Sequence, residues 1–238
     1  MRPSGRAPNQ LRSVTLEPTF NKYAEGSCFV KFGNTHVLCT ASVDKKIPAF
    51  LRKTGKGWIT AEFGMLPRST HIRNDREAVN GKQRGRTQEI QRLIGRSLRA
   101  VTKLTDMSEI QIKIDCDVIQ ADGGTRAAAI TGSYVALYLA FKNLISSNVL
   151  SVMPLTGQVA AVSCGIYNKI PVLDLDYNED IACQVDSNFV LNGIGEIIEI
   201  QGTAEGAVFT KDEFLDLLDL AQQGISNLIE LQRNVLNL

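Results

Sequence analysis

A chain of 238 residues has room for one substantial hydrophobic core, and 44% apolar with 21% charged residues is an ordinary globular balance. A formal net charge of +1 gives no global pull toward any partner. No apolar run reaches the roughly 18 residues of a membrane span, and the polar start Met1-Arg2-Pro3-Ser4-Gly5-Arg6 lacks the apolar core of a signal peptide.

The alternations Cys28, Val30, Phe32 and Val37, Cys39, Ala41, Val43 predict two strands, over 27–33 and 35–43. Gly33-Asn34 between them suits a tight hairpin turn. Residues 64–86 are polar and rich in Gly and Arg, without a period, and read as a long loop. Ile90, Leu93, Ile94, Leu98 and Val101 then recur at helical spacing from Thr87 to Val101, with arginines on the other faces. Ile110, Ile112, Ile114, Cys116 and Val118 alternate with polar residues and predict a strand over 110–118. Asp122-Gly123-Gly124-Thr125-Arg126 breaks it, and an Ala- and Leu-rich helix follows to about Ile145. Short strands are expected over 158–165, 171–175, 182–191 and 194–201. The last helix opens with a capping box, Thr210 with Glu213, and a staple, Phe209 with Phe214. Strands before and between helices, with no linker or repeat, predict one mixed α+β domain over 1–238.

Five cysteines, Cys28, Cys39, Cys116, Cys164 and Cys183, are odd in number and show no CxxC spacing. They read as reduced thiols of a cytoplasmic protein. Charge is concentrated locally. Ten Lys or Arg lie between Arg68 and Lys103 against three acids, while Leu173 to Glu205 is acidic. Such a pairing suits an enzyme that handles a polyanion with the help of a cation.

Three places can carry chemistry. At Gly123-Gly124-Thr125-Arg126 two glycines let the backbone approach a ligand without a Cβ in the way. The helix that follows points free N–H groups at the junction, where Thr125 adds a hydroxyl and Arg126 a bidentate cation. That makes an anion site or, alternatively, a tight turn before an ordinary helix. Arg86 stands at another helix start; Arg68, Arg73 and Arg76 of the loop form either a phosphate track or a solvated face. Asp180 and Asp186 can converge on Mg²⁺, or they and Asp174, Asp176 and Glu179 are surface carboxylates. With only two histidines, His36 and His71, the chain has little material for a Ser-His or Cys-His pair. A nucleophile acting on phosphodiesters would then come from solution.

Taken together, the long motifs resemble the ribonuclease PH family of phosphorolytic 3′ exoribonucleases, also called tRNA nucleotidyltransferases. The resemblance runs from Met1-Arg2-Pro3 to the final helix. It rests on Gly57-Trp58-Ile59-Thr60-Ala61-Glu62-Phe63-Gly64-Met65-Leu66-Pro67-Arg68 and on Gly85-Arg86-Thr87-Gln88-Glu89-Ile90-Gln91-Arg92. Ala121-Asp122-Gly123-Gly124-Thr125-Arg126, Leu173-Asp174-Leu175-Asp176-Tyr177 and Glu199-Ile200-Gln201-Gly202-Thr203-Ala204-Glu205-Gly206 carry it further.

The resemblance implies a βαβα-type domain of the ribosomal-S5-domain-2-like class, with mixed sheets and packed helices. It implies that Arg86, Gly124, Thr125 and Arg126 bind inorganic phosphate, that Asp180 and Asp186 are catalytic and hold Mg²⁺, and that Arg68, Arg73 and Arg76 bind RNA. The implied substrates are tRNA precursors and other RNA including rRNA, and the implied assembly is a homohexamer, a trimer of dimers. Ser108 stands where such proteins usually carry glycine, and Ser187 where methionine is frequent. A hydrolytic metal-dependent nuclease and an inert RNA-binding ring subunit are the competing classes. The first would need more converging carboxylates, and the second should have lost the phosphate arginines or the aspartates.

Overall fold

In the computed structural model, residues 2–205 and 208–238 are described; Met1 and Gly206 of the motifs above lie outside them. The first sheet uses β1 (Val14–Pro18), β2 (Gly26–Phe32), β3 (Thr35–Asp44), β4 (Trp58–Met65) and β5 (Gln111–Gln120) in the order β1-β2-β3-β5-β4. All pairs are antiparallel except β4 with β5. Between these strands in the chain comes α1 (Gly85–Ala100), and after them α2 (Thr125–Ser146). The second sheet follows: β6 (Val159–Tyr167), β7 (Ile170–Leu173), β8 (Val185–Asn192) and β9 (Ile197–Ala204), antiparallel in the order β7-β6-β8-β9. The short α3 (Tyr177–Asp180) lies between β7 and β8, and α4 (Lys211–Leu236) ends the chain.

The expected hairpin forms around Gly33, whose φ of +55° suits the turn, and it aligns Phe32 with Thr35. Cys28, Val30 and Phe32 join Val37, Cys39 and Ala41 on one buried face. In β5 the inward residues Ile112, Ile114, Cys116 and Val118 continue that face, while Lys113 and Asp117 point to solvent. α1 lays its apolar stripe on β4, and α2 packs against β2 and β3 as well as β6. One continuous core therefore joins the two sheets. Buried Gln232 of α4 ties it further, its Nε2 donating to the Thr131 carbonyl at 3.0 Å and to that of Val159 at 2.9 Å.

Sandwiched in this way, α2 is apolar nearly all round, as a doubly covered helix must be. Contrary to the expectation from apolar runs, its 22 residues, with a mean hydropathy of 1.3 in the most apolar window, are enough to cross a membrane by length and composition. The protein itself covers it, burying 72% of that window.

Among the strands and α-helices, β1, β4 and α3 went unforeseen. The loop expected over 64–86 holds a short 3₁₀ turn, Glu77–Asn80. β9 begins three residues later than expected because Asn192 closes the preceding turn, its Oδ1 accepting from the Ile194 N–H at 3.1 Å and from the Glu196 N–H at 2.8 Å. Ser108 adopts φ +51°, a left-handed conformation that glycine takes without steric cost. The α4 capping box forms as expected: the Glu213 N–H donates to Thr210 at 3.2 Å, and Glu213 accepts from the Thr210 N–H at 2.7 Å.

Candidate active site

Four elements supply the site. Arg86 sits in the first turn of α1, Thr125 and Arg126 open α2, Asp180 ends α3, and Asp186 is the second residue of β8. Their proximity is felt in the carboxyl groups. Burial raises the Asp186 carboxyl, Asp180 raises it further, and Arg126 and Arg86 pull it back, leaving it at about 6. Burial likewise raises Asp180, with Arg86 and Arg126 opposing. Two arginines and two carboxylates separated widely in sequence thus share one electrostatic environment.

The helix starts differ in a telling way. α3 and α4 each begin with a complete capping box, so side chains satisfy their leading N–H groups. The N-cap residues of α1 and α2, Arg84 and Gly124, make no side-chain cap. The two helices that deliver Arg86 and Arg126 therefore keep free N–H groups and the positive ends of their dipoles available to an anion.

The glycines before α2 are also required by the fold itself. A Cβ on Gly123 would stand 2.7 Å from the Leu175 carbonyl oxygen, and one on Gly124 would stand 2.9 Å from Arg12 Nη2. Both residues have positive φ, +76° and +66°. The close approach is thus between the turn and the chain's own segments, which docks the start of α2 against the segment leading into α3. Arg12 fastens this junction. Its guanidinium donates to the Asp122 and Gly123 carbonyls and pairs with Asp174 at 2.7 Å.

Asp174 and Glu179 are accordingly not surface carboxylates, being 1% and 0% exposed. Arg2 grips Glu179 with two bonds of 2.7 Å, and Arg6 reaches Glu179 at 3.0 Å and Asp176 at 3.3 Å. The N-terminal segment thereby forms the floor under α3. Nothing local in the sequence marked these partners. The sequence reading also missed a network beside Arg126. Arg126 Nη1 donates to Gln201 of β9 at 2.6 Å and to Glu89 of α1 at 3.2 Å. Gln201 in turn donates to Glu199 at 3.3 Å, and Arg96 clamps Glu199 with bonds of 2.8 and 2.6 Å.

Arg68, Arg73 and Arg76 are all exposed in the loop after β4. Arg73 pairs with Asp75 at 2.9 Å in open solvent, a weak contact. Arg76, Lys82, Arg84 and Arg86 line a cavity of about 530 Å³ backed by Phe63 and Met65. The loop also meets α3 edge-on, His71 against Tyr177 with ring centroids 5.7 Å apart. In space the basic loop adjoins the arginine–aspartate cluster.

Among the described residues no three His, Cys, Asp or Glu side chains converge as a metal cage. Asp180 and Asp186 remain as a half-buried pair whose carboxylates form no ion pair among the described residues. That donor set, two hard oxygen ligands held together against their repulsion, fits Mg²⁺ bound jointly with substrate phosphates.

The model of the 3′ exoribonuclease family, domain 1, matches residues 10–142, and that of its domain 2 matches residues 157–224. The chain belongs to the 3′ exoribonuclease family. Within that family it is 61% identical over 236 residues to the ribonuclease PH of Rhodospirillum rubrum, covering 99% of this chain and 98% of that one. To the ribonuclease PH of Caulobacter vibrioides it is 62% identical over 233 residues, 98% of each chain. The family fold extends further than the sequence likeness. Rice (Oryza sativa) Rrp46 superposes with a TM-score of 0.80 at 20% identity, over 99% of this chain and 100% of that one. The Archaeoglobus fulgidus exosome with RNA bound to the active site gives 0.81 at 19% identity, over 96% and 91%.

Proposed function

We propose that this protein is a phosphate-dependent tRNA nucleotidyltransferase: it shortens RNA, including tRNA precursors and rRNA, one nucleotide at a time from the 3′ end and releases nucleoside diphosphates. The observation that carries the reading is the pair of uncapped helix starts, each bearing an arginine, set against two crowded carboxylates. An enzyme whose nucleophile is an anion from solution needs an anion cradle for it, and a hydrolytic nuclease, whose nucleophile is water, does not.

In this reading Arg86, Arg126, Thr125 and the N–H groups after Gly124 hold phosphate in line with the last phosphodiester. A phosphate oxygen bonds to the terminal phosphorus as the bond to the 3′ oxygen breaks. The proton of the attacking phosphate balances the one gained by the departing 3′ hydroxyl. The arginines stabilise the charge spread over the transferring group, aimed in advance at where it develops. Asp180 and Asp186 would hold Mg²⁺, which when bound supplies further neutralisation of that phosphoryl group. Arg68, Arg73 and Arg76 engage the RNA backbone next to the site. A cytoplasmic homohexamer, a trimer of dimers, belongs to the same proposal; exposed Phe20, Tyr23 and Phe50 are apolar surface that assembly would cover.

The test is product chemistry. RNA and Mg²⁺ are incubated with and without inorganic phosphate, and the mononucleotide is identified. Nucleoside diphosphate formed only with phosphate is expected. Nucleoside monophosphate formed without it would assign a hydrolytic enzyme, and no release in either arm an inert binding subunit.

A further inference from the structure

Arg126 is held through one terminal nitrogen. Its Nη1 donates to Gln201 Oε1 at 2.6 Å and to Glu89 Oε1 at 3.2 Å, which occupies both hydrogens of that nitrogen. Among the described residues, these are the acceptors the Arg126 side chain meets, so Nε and Nη2 remain open. Those two nitrogens share one edge of the guanidinium, and such an edge takes an oxyanion with two parallel hydrogen bonds.

The chemistry of the two acceptors differs. Glu89 carries charge, but its side chain is 46% exposed and its bond is the longer one. The short bond goes to a neutral amide. A neutral acceptor fixes the guanidinium without cancelling its charge, which leaves that charge for a ligand. The amide itself has only one workable orientation. Its Nε2 faces Glu199 Oε1, an acceptor that offers no hydrogen, so Oε1 must face Arg126. Glu199 is in turn fixed by the bidentate grip of Arg96.

We infer that Gln201 is a positioning residue for the phosphate nucleophile: oriented by Glu199 and Arg96, it locks Arg126 by Nη1 and turns the Nε–Nη2 edge, with its charge intact, toward bound phosphate. This rests on the phosphorolytic reading above and adds to it a relay from α1 through β9 to α2.

Gln201→Glu separates this role from a merely structural one. A carboxylate keeps the bond to Arg126 and strengthens it, while facing Glu199 in place of the donated amide hydrogen. A residue that only ties β9 to α2 should therefore change stability and leave the phosphate KM alone. Loss of a positioning amide should raise it, because the new charge neutralises the cation that phosphate needs. The phosphate KM of Gln201→Glu should rise about tenfold, by more than kcat falls, whatever the new carboxylate beside Glu199 does to the melting temperature. Glu199→Ala, which frees the amide to rotate, should raise the phosphate KM about threefold. Calorimetric titration with inorganic phosphate should follow the same order. A wild-type phosphate KM in both variants, or a loss confined to kcat, overturns the inference. A wild-type protein that turns over RNA without phosphate would instead overturn the reading it rests on.

Discussion

Arg2 and Glu179, 177 positions apart in the chain, meet in a buried bidentate ion pair with both bonds at 2.7 Å. The pair anchors the N-terminal segment to α3, whose last residue is Asp180. Removing Arg2 would strand the Glu179 charge in the interior. Arg2→Ala should therefore lower unfolding free energy by about 3–5 kcal/mol, as breaking a buried pair does. Denaturant titration checks this, and a loss below about 1 kcal/mol would show that Arg6 compensates. Burial alone would raise the Glu179 carboxyl, yet Arg2, the Asp176 N–H and Arg6 bring it below its ordinary value. A depressed carboxyl stabilises the fold above the unfolded pKa, and that contribution is lost as pH falls through the folded one. In Arg2→Ala this acid-side loss should shrink.

The Asp186 carboxyl has the opposite sign. Raised to about 6 by burial and by Asp180, it binds its proton more tightly folded than unfolded. With divalent ions chelated, stability should therefore decline as pH rises from about 4 to about 6, by on the order of 2 kcal/mol. Asp186→Asn should flatten that decline. Adding Mg²⁺ at neutral pH should raise the melting temperature of the wild type and not of Asp186→Asn. Parallel responses of the two proteins to Mg²⁺ would remove Asp186 from the ion site.

Arg126→Ala should lower kcat/KM for phosphate by about 2–4 kcal/mol of transition-state stabilisation, the scale of a charge-assisted contact. Steady-state rates across a phosphate titration measure it. Unchanged phosphate dependence would leave the cradle without its arginine.

The loop arginines should govern RNA affinity and its salt dependence. Replacing Arg68, Arg73 and Arg76 by Ala removes up to three phosphate contacts, and Arg73 already faces Asp75. The slope of log K against log salt should become shallower by about two units. Binding isotherms with tRNA at several ionic strengths provide the check, and an unaltered slope would return the loop to a solvated face.

Ser108 offers a test of the backbone alone. At φ +51° a side chain costs roughly 1 kcal/mol that glycine does not incur. Ser108→Gly should raise stability by about that amount with no change in turnover. A lower melting temperature would mean that the looser unfolded chain outweighs the relieved strain.

Much of the fold was legible because its periodicities are local. Ile112 to Val118 alternate and Ile90 to Leu98 recur at helical spacing, so β5 and α1 follow from side-chain direction alone. The Thr210–Glu213 box marks the start of α4 within four residues. β4 carries the same alternation in Ile59, Ala61 and Phe63, but a small alanine and Gly64 weaken it. α3, one turn long, is too short to show a period.

By itself the sequence determined which residues could do chemistry: arginines at two helix starts, glycines at a sharp junction, aspartates in an acidic stretch. Only the tertiary structure decided that Arg86, Arg126, Asp180 and Asp186 share one field, and that Asp174 and Glu179 are buried partners of Arg12 and Arg2. It also decided that the Gly123-Gly124 turn approaches its own chain and that Gln201 holds Arg126. The reason is physical. Patterning and capping are interactions among neighbours in the chain, whereas an ion pair across 162 or 177 positions depends on how two sheets close around one helix, and no local spacing records that closure.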